Sequence, residues 1–293
     1  MKHREGMFVG RGRVEIFQQS WLPAGAANAA VVMVHGLGEH SGRYEHVAAM
    51  LVKAGCAVYA LDHRGHGRSG GSRALVDRWQ NAVADMDSVV ELARSQQRGK
   101  PLFLLGHSMG GTLSLAYALG HQNKLDGLML SAPAVALDGA PPLIGPIAKL
   151  LARVAPRLGL FAIDPSIVSR DPQAAAAYEA DPLTAHGKVP AGTLAEIVRL
   201  VEYLPRHLKK LKLPLLIQHG SADKLAGLSG SRKVIAKLGS ADKTLLIYEG
   251  LYHEIFNELP ADRARVLQDL REWLETHIPI RRQKVAKRSV TPT

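Results

Sequence analysis

The chain has 293 residues, of which 46% are hydrophobic, and its formal net charge is +11. This length fits one large domain or one domain with an insertion, and the apolar content is ample for a core. The single cysteine, Cys56, excludes an intramolecular disulfide and fits a reducing compartment. We expect its thiol to be buried and inert.

Charge and hydropathy argue against several further classes of protein. No secretory signal is visible, and the sequence contains no run of about 20 largely uncharged residues, the length that a membrane span requires. We therefore expect a cytoplasmic location. Five of the positive charges lie in a tail, residues 280–293, that lacks acidic residues and is predicted to be disordered. We interpret this tail as a solvated chain end. We expect no nucleic-acid partner, because no nucleic-acid-binding module accompanies the tail.

Predicted strands and helices alternate along the first 130 residues. Strands are expected at residues 8–17, 29–35, 57–61, 102–105 and 127–130. Several of them are apolar without alternation, as strands buried on both faces are. Helices with apolar residues at helical spacing are expected at residues 42–54 and 79–97, and another begins directly after Ser108. This alternation predicts an α/β fold with a mostly parallel sheet.

The alternation stops after Pro133 and resumes near residue 213. Residues 134–212 contain helical patches and several prolines but no convincing strand, so we expect a helical cap inserted between two strands. The remaining elements are predicted strands at 215–218 and 244–248 and predicted helices at 230–238 and 261–277. The expected organisation is one core domain split into residues 1–133 and 213–279, with the cap between its halves.

Residues 106–111, Gly-His-Ser-Met-Gly-Gly, lie between a predicted strand and a predicted helix. The pattern Gly-x-Ser-x-Gly in that setting is typical of a nucleophile elbow, which holds a serine in a strained turn with its hydroxyl exposed. The flanking glycines are needed because a Cβ there would clash with the neighbouring strand or helix. Ser108 is therefore the candidate nucleophile.

A serine hydroxyl needs a base to take its proton, and that base is usually a histidine oriented by a carboxylate. In such sheets the three residues follow in the order serine, acid, histidine, each after a strand. Asp223 follows the predicted strand 215–218 and His253 follows the strand 244–248, so they are the candidate acid and base. His219 is expected to be only a strand-end residue.

Two further residues are weaker candidates for the acid and the base. Asp242 precedes its strand and would lie at the opposite edge of the sheet from Ser108. His277 ends the last predicted helix. Neither position fits a carboxylate or an imidazole that follows a strand at the serine edge.

The tetrahedral intermediate of acyl transfer also requires donors for its oxyanion. One expected donor is the backbone N–H of Met109, which follows the nucleophile, and the other is that of Leu37 in the glycine-containing loop at residues 35–40. His63 and His66 could suggest a metal site, but no third ligand is evident, so we expect a tight structural loop. No metal or organic cofactor is expected.

Together these motifs resemble those of α/β-hydrolases of the monoacylglycerol lipase type. The resemblance covers nearly all of residues 8–277, and it is carried by residues 35–44, 62–69, 106–111, 130–134, 181–183 and 251–254. It implies an α/β-hydrolase fold and the hydrolysis of monoacylglycerol to fatty acid and glycerol through an acyl-enzyme. It also implies that Glu39, Arg43 and His107 lie near the glycerol end of the substrate. Glu39 and Arg43 fit a surface salt bridge at a helix start equally well.

The cap sequence has two interpretations. Apolar residues recur at helical spacing, with basic residues on another face: Leu143, Ile147, Leu150, Leu151, Val154 and Leu158, against Lys149, Arg153 and Arg157. Either the apolar stripe packs on the core, which we favour for one helix, or it rests on a membrane surface and passes an acyl chain inward.

Three other functions fit the same motifs. A lysophospholipase and a short-chain carboxylesterase would use the same three catalytic side chains on a different ester. A non-catalytic ligand-binding protein could share the fold, because fold alone does not determine function.

Overall fold

The computed structural model describes residues 1–136, 141 and 143–278, so the basic tail at 280–293 lies outside the described residues. In the described residues eight strands form one sheet, in the order β1-β2-β4-β3-β5-β6-β7-β8. The strands are β1 (Lys2–Val9), β2 (Glu15–Leu22), β3 (Ala29–Val34), β4 (Cys56–Leu61), β5 (Leu102–His107), β6 (Gly127–Ser131), β7 (Leu215–Gly220) and β8 (Lys243–Tyr248). The helices are α1 (Glu45–Lys53), α2 (Trp79–Gln96), α3 (Met109–His121), α4 (Ile144–Val154), α5 (Pro172–Ala180), α6 (Ala191–His207), α7 (Leu228–Lys237) and α8 (Pro260–His277).

Strands β3 to β8 pair in parallel, and only β1 and β2 are antiparallel to their neighbours. The expected mostly parallel α/β sheet is therefore confirmed. Every residue of β3, β4, β5, β6 and β7 is buried, because helices cover both faces of the sheet. Cys56 is buried as expected, and burial raises the pKa of its thiol to about 12.

The prediction of one strand over residues 8–17 is wrong. The chain forms an antiparallel hairpin of β1 and β2, in which Val9 pairs with Glu15 across a 3-10 turn at Arg11–Arg13. Gly12 has φ 68°, a left-handed conformation that glycine adopts without a steric penalty. The Gly-Arg-Gly run at residues 10–12 was the available signal for this break.

Two apolar clusters lie on the two faces of the sheet. One contains residues of α2, α3 and α6, and the other contains residues of α1 and α8. The first cluster includes Leu200 and Leu204, in the second half of α6, and Leu208 just after it, so part of the segment between β6 and β7 packs directly on the core. We call residues 134–212 the insertion.

Helix α4 of the insertion is oriented differently from the interpretation that we favoured. Gly145 and Ala148 are its buried residues, and a Cβ on Gly145 would meet Val198 of α6 at 3.2 Å. Most of the apolar stripe faces outward instead, with exposed fractions of 66% for Leu143, 63% for Leu150 and 75% for Val154. Packing of this stripe on the core is therefore contradicted, because the small residues form the helix contact.

Within the described residues, no helix combines the length and the apolarity that crossing a membrane requires.

Candidate active site

Ser108 lies in the sharp turn between β5 and α3, with φ 51° and ψ −121°. This conformation is rare for a residue with a side chain, as a nucleophile elbow requires. A Cβ on Gly106 would lie 2.4 Å from Ser114 Oγ in α3, and one on Gly110 would lie 2.3 Å from the Val34 carbonyl oxygen in β3. Both glycines are therefore required by the close approach of strand and helix.

Asp223 and His253 meet although 30 residues separate them. His253 Nδ1 lies 2.7 Å from Asp223 Oδ2, which orients the ring, while the Leu225 and Ala226 N–H groups donate to Asp223 Oδ1 at 2.8 and 2.9 Å. Both residues follow parallel strands at the sheet edge where Ser108 follows β5. The structure thus brings the predicted acid and the predicted base together.

The two weaker candidates pair with each other elsewhere. His277 Nε2 lies 3.0 Å from Asp242 Oδ2, between the end of α8 and the start of β8. Half of the Asp242 side chain is exposed, and this contact lies at the opposite edge of the sheet from Ser108, as expected.

His219 is a contact of Asp223 that sequence reasoning missed. It is fully buried near the end of β7, where its Nε2 lies 3.1 Å from Asp223 Oδ2 and 2.6 Å from the Ala226 carbonyl oxygen. Ser231 Oγ lies 2.7 Å from its other ring nitrogen. The spacing of four residues between His219 and Asp223 was the only sequence signal for this pair.

The surroundings move the pKa values of the acid and the base apart. Burial alone would raise the pKa of Asp223, but the charge of His253 and the hydrogen bonds from His219 and His253 hold it well below its usual range. Burial alone would lower the pKa of His253, but the charge and hydrogen bond of Asp223 raise it above its ordinary value. The pair therefore favours an imidazole that accepts a proton beside a carboxylate that stays ionised.

A cavity of about 220 Å³ lies above Ser108 and His253, and both residues line it. The insertion supplies a mostly apolar wall: Ile144, Phe161, Ile163, Val168, Val189, Leu194 and Ile197. The core supplies the polar floor, including Glu39, His107 and Glu254. An apolar cavity with a few convergent polar groups suits an ester with a hydrocarbon chain.

Leu37 and Met109 also line this cavity, next to Ser108. Met109 is the first residue of α3, so its N–H has no partner within the helix. The Gly36 N–H donates to Glu39 Oε1 at 2.6 Å, which holds the loop before Leu37. A Cβ on Gly36 would lie 3.1 Å from the Cβ of Ser108, so the glycine permits this close approach.

Arg43 forms a bidentate pair with Glu254, with Nη–Oε distances of 2.7 and 2.8 Å, and also contacts Glu39 at 2.9 Å. Only 10% of the Arg43 side chain and 3% of that of Glu39 are exposed, so the alternative of a surface salt bridge is wrong. Tyr44 donates to Glu39 at 2.7 Å. Arg43 does not line the cavity but holds two carboxylates that do, and the buried Glu254 was not foreseen as its partner.

His107 lies between the cavity and β6. Its Nδ1 is 3.1 Å from Ser131 Oγ, and its ring centroid is 4.8 Å from that of His253. Burial, reinforced by the nearby His253, lowers the pKa of His107 to about 3. His107 is therefore a neutral hydrogen-bonding group at the cavity floor.

His35, His63 and His66 form a buried cluster behind the loop that carries Leu37, with ring centroids 4.5 to 6.3 Å apart. The His63 N–H donates to His35 Nε2 at 2.8 Å, which ties the loop at residues 62–70 to this one. Burial lowers the pKa of His63 to about 3 and that of His66 to about 4. In the described part of the chain, no group of three histidine, cysteine or acidic side chains is arranged to hold a metal ion.

Comparison with known proteins identifies the family of this chain. A family model described as serine aminopeptidase, S33, matches residues 25–260. A monoacylglycerol lipase of Mycolicibacterium smegmatis is 41% identical over 94% of this chain and 98% of its own length. The monoglyceride lipase of Homo sapiens is 36% identical over 88% and 86%. The crystal structure of a Paleococcus ferrophilus monoacylglycerol lipase superimposes with a TM-score of 0.82 at 34% identity, covering 89% of this chain and 99% of that one.

Proposed function

Because the chain belongs to the α/β-hydrolase family that the serine aminopeptidase S33 model describes, we propose that it hydrolyses monoacylglycerols to fatty acid and glycerol. The observation that carries this proposal is the 2.7 Å hydrogen bond between His253 and Asp223 beside the cavity that Ser108 lines. The relatives named monoacylglycerol lipase match this chain over nearly all of their own length.

The mechanism that we propose runs through an acyl-enzyme. The Ser108 oxygen attacks the ester carbonyl while His253 takes the serine proton, and Asp223 keeps the imidazole in the required tautomer. The N–H groups of Leu37 and Met109 stabilise the oxyanion. His253 then gives its proton to the departing glycerol oxygen, and a water activated by the same imidazole releases the fatty acid.

We propose that the acyl end of the substrate contacts the apolar wall of the cavity and the glycerol end contacts its polar floor. The acyl chain lies against the apolar side chains of the insertion, because burying apolar surface stabilises the complex. Glu39 and His107 line the floor and offer polar contacts to the glycerol hydroxyls. Arg43 supports this end indirectly, because its guanidinium donates hydrogen bonds to both Glu39 and Glu254.

We further propose that the insertion, residues 134–212, acts as a cap that contacts a lipid surface. Helix α4 and the residues that flank it expose Leu143, Leu150, Val154 and Leu158, and Arg153 and Arg157 are exposed nearby. An apolar stripe beside basic side chains suits the interface of a membrane with anionic headgroups. Substrate would then pass from the lipid to Ser108 below the cap.

A substrate panel tests the proposed activity. We expect monoolein to be hydrolysed with a higher kcat/KM than triolein, lysophosphatidylcholine or nitrophenyl esters of rising chain length. Ser108→Ala should abolish turnover of every ester, and a fluorophosphonate should label Ser108 in the unaltered protein only. Faster turnover of lysophosphatidylcholine than of monoolein would contradict monoacylglycerol as the main substrate. Full activity of Ser108→Ala would contradict the mechanism.

A further inference from the structure

Three consecutive residues of the insertion, 168–170, bind the loop that follows His253. The Glu254 N–H donates to the Val168 carbonyl oxygen at 2.7 Å. Ser169 Oγ donates to the Asn257 carbonyl oxygen at 2.8 Å. The residue directly after His253 is thus fixed to a residue that lines the cavity, and the contact is made by the backbone.

Arg170 continues this attachment through a buried carboxylate. Its Nε lies 3.0 Å from Oε2 of Glu258, whose side chain is 0% exposed, and its Nη2 contacts Asp262 at the start of α8. The other oxygen of Glu258 accepts the Tyr252 N–H at 2.7 Å. Tyr252 directly precedes His253, so the carboxylate holds the backbone immediately before the proposed base.

A fully buried carboxylate needs a partner, because removing a charge from water is unfavourable unless an opposite charge and hydrogen bonds replace the water. Arg170 is the ion-pair partner of Glu258 in the described residues, and it comes from the insertion and not from the core. The conformation of the loop around His253 therefore depends on a side chain that the insertion supplies.

From this geometry we propose that Arg170 is a positioning residue that sets the loop carrying His253, acting through Glu258 and the Tyr252 N–H. The inference rests on the proposed function, since it assigns the effect to the base of that reaction. It predicts that the segment at residues 168–170 stays attached to the core during turnover.

The test compares Arg170→Met with the double variant Arg170→Met/Glu258→Gln. The single change leaves the buried carboxylate without its cation, so we expect kcat for nitrophenyl butyrate to fall about 30-fold with KM changed less than about two-fold. In the double variant the amide oxygen still accepts the Tyr252 N–H, no buried charge is left unpaired, and the carboxylate of Asp262, which also loses Arg170, is partly exposed to water. We expect its kcat to recover to within about three-fold of the unaltered protein.

A second readout does not depend on esterase activity. The proton on His253 Nδ1 that bridges to Asp223 gives a low-field proton resonance, identified by its absence in His253→Gln. We expect Arg170→Met to shift or broaden this signal and the double variant to restore it. An unaltered protein that hydrolyses no ester would reject the proposed function, while this resonance would still decide whether Arg170 positions His253.

Arg271→Met is the matched control, because Arg271 pairs with Glu275 on the exposed face of α8 and should leave both readouts unchanged. If Arg170→Met does not fold, Arg170→Lys replaces it, and we expect about five-fold lower kcat because an ammonium cannot fork across two carboxylates. Unchanged kcat and resonance in the folded Arg170 variant, or a double variant no better than Arg170→Met, would overturn the inference.

Discussion

The two walls of the cavity differ in how their side chains are held. On the core side, buried Asp223 has contacts from two histidines and two backbone N–H groups, and Glu39 accepts three hydrogen bonds. On the insertion side, α4 packs through Gly145 and Ala148 and leaves Ile147, Leu150 and Val154 exposed to solvent.

This difference matches two physical tasks. Stabilising charge in a transition state needs polar groups that are oriented before the reaction, because reorganisation would add to the barrier. Meeting a lipid surface needs accessible apolar area and few fixed contacts, which favours a segment of low local stability. Changes in the core wall should therefore affect every substrate, whereas changes on the outer face of the insertion should affect only substrates in lipid.

The largest expected effect comes from Asp223→Asn. The carboxylate holds His253 in the required tautomer and stabilises the imidazolium that forms. Without it we expect kcat to fall about 10⁴-fold on both soluble and lipid esters. Because Asp223 raises the pKa of His253, the acid limb of the residual pH profile should move to lower pH. The matched control is Asp242→Asn, whose exposed pair with His277 should leave kcat unchanged. More than a tenth of the original kcat in Asp223→Asn would contradict this role.

The next effect concerns the packing of the elbow and compares two glycines of α3. A Cβ on Gly110 would meet the backbone oxygens of Val34 and His35 at 2.3 Å, so Gly110→Ala should lower the free energy of unfolding by about 3 kcal/mol. A Cβ on Gly120 would have no neighbouring atom within 4 Å. Gly120→Ala should therefore leave the free energy of unfolding unchanged or raise it by about 0.5 to 1 kcal/mol. Urea unfolding followed by circular dichroism measures both, and equal stability of the two variants would contradict the close approach.

A smaller effect tests the buried histidines of the core side. The folded protein holds the pKa of His63 at about 3, below its ordinary value of 6.5, so the unfolded chain binds more protons below pH 6.5. Stability from this residue is therefore present above pH 6.5 and is lost as the pH falls toward 3. His63→Leu removes the group whose protonation favours the unfolded chain at low pH. We therefore expect the substitution to change the free energy of unfolding more favourably at pH 5 than at pH 8, by about 2 kcal/mol. Melting temperatures at the two pH values check this, and a pH-independent difference would contradict it.

The smallest effect concerns the outer face of α4. Leu150→Ser/Val154→Ser removes exposed apolar area, so we expect about ten-fold lower activity on monoolein in anionic vesicles. Hydrolysis of soluble nitrophenyl butyrate and the melting temperature should not change. The matched control is Met7→Ser/Val9→Ser, which removes exposed apolar side chains from β1, far from the insertion in the sheet order. Equal loss on vesicles and in solution would contradict a role in lipid contact.

Much of the catalytic framework could be predicted from the sequence because it depends on local rules. Continuous apolar runs between helical segments indicate parallel strands, and parallel strands end at one edge of a sheet. The positions of Ser108, Asp223 and His253 after such strands therefore follow from chain order. The glycines beside Ser108 are equally local, because the strand-to-helix turn itself leaves no room for a Cβ.

Contacts between distant segments were decided only by the tertiary structure. The sequence does not distinguish a surface pair from the buried fork of Arg43 on Glu254, which lies 211 positions away. It also left the stripe of α4 ambiguous, because amphipathicity shows that a helix has two faces but not which neighbour covers one of them. The attachment of Arg170 to Glu258 is of the same kind, since burial and ion pairing depend on what packs around a residue after the chain has folded.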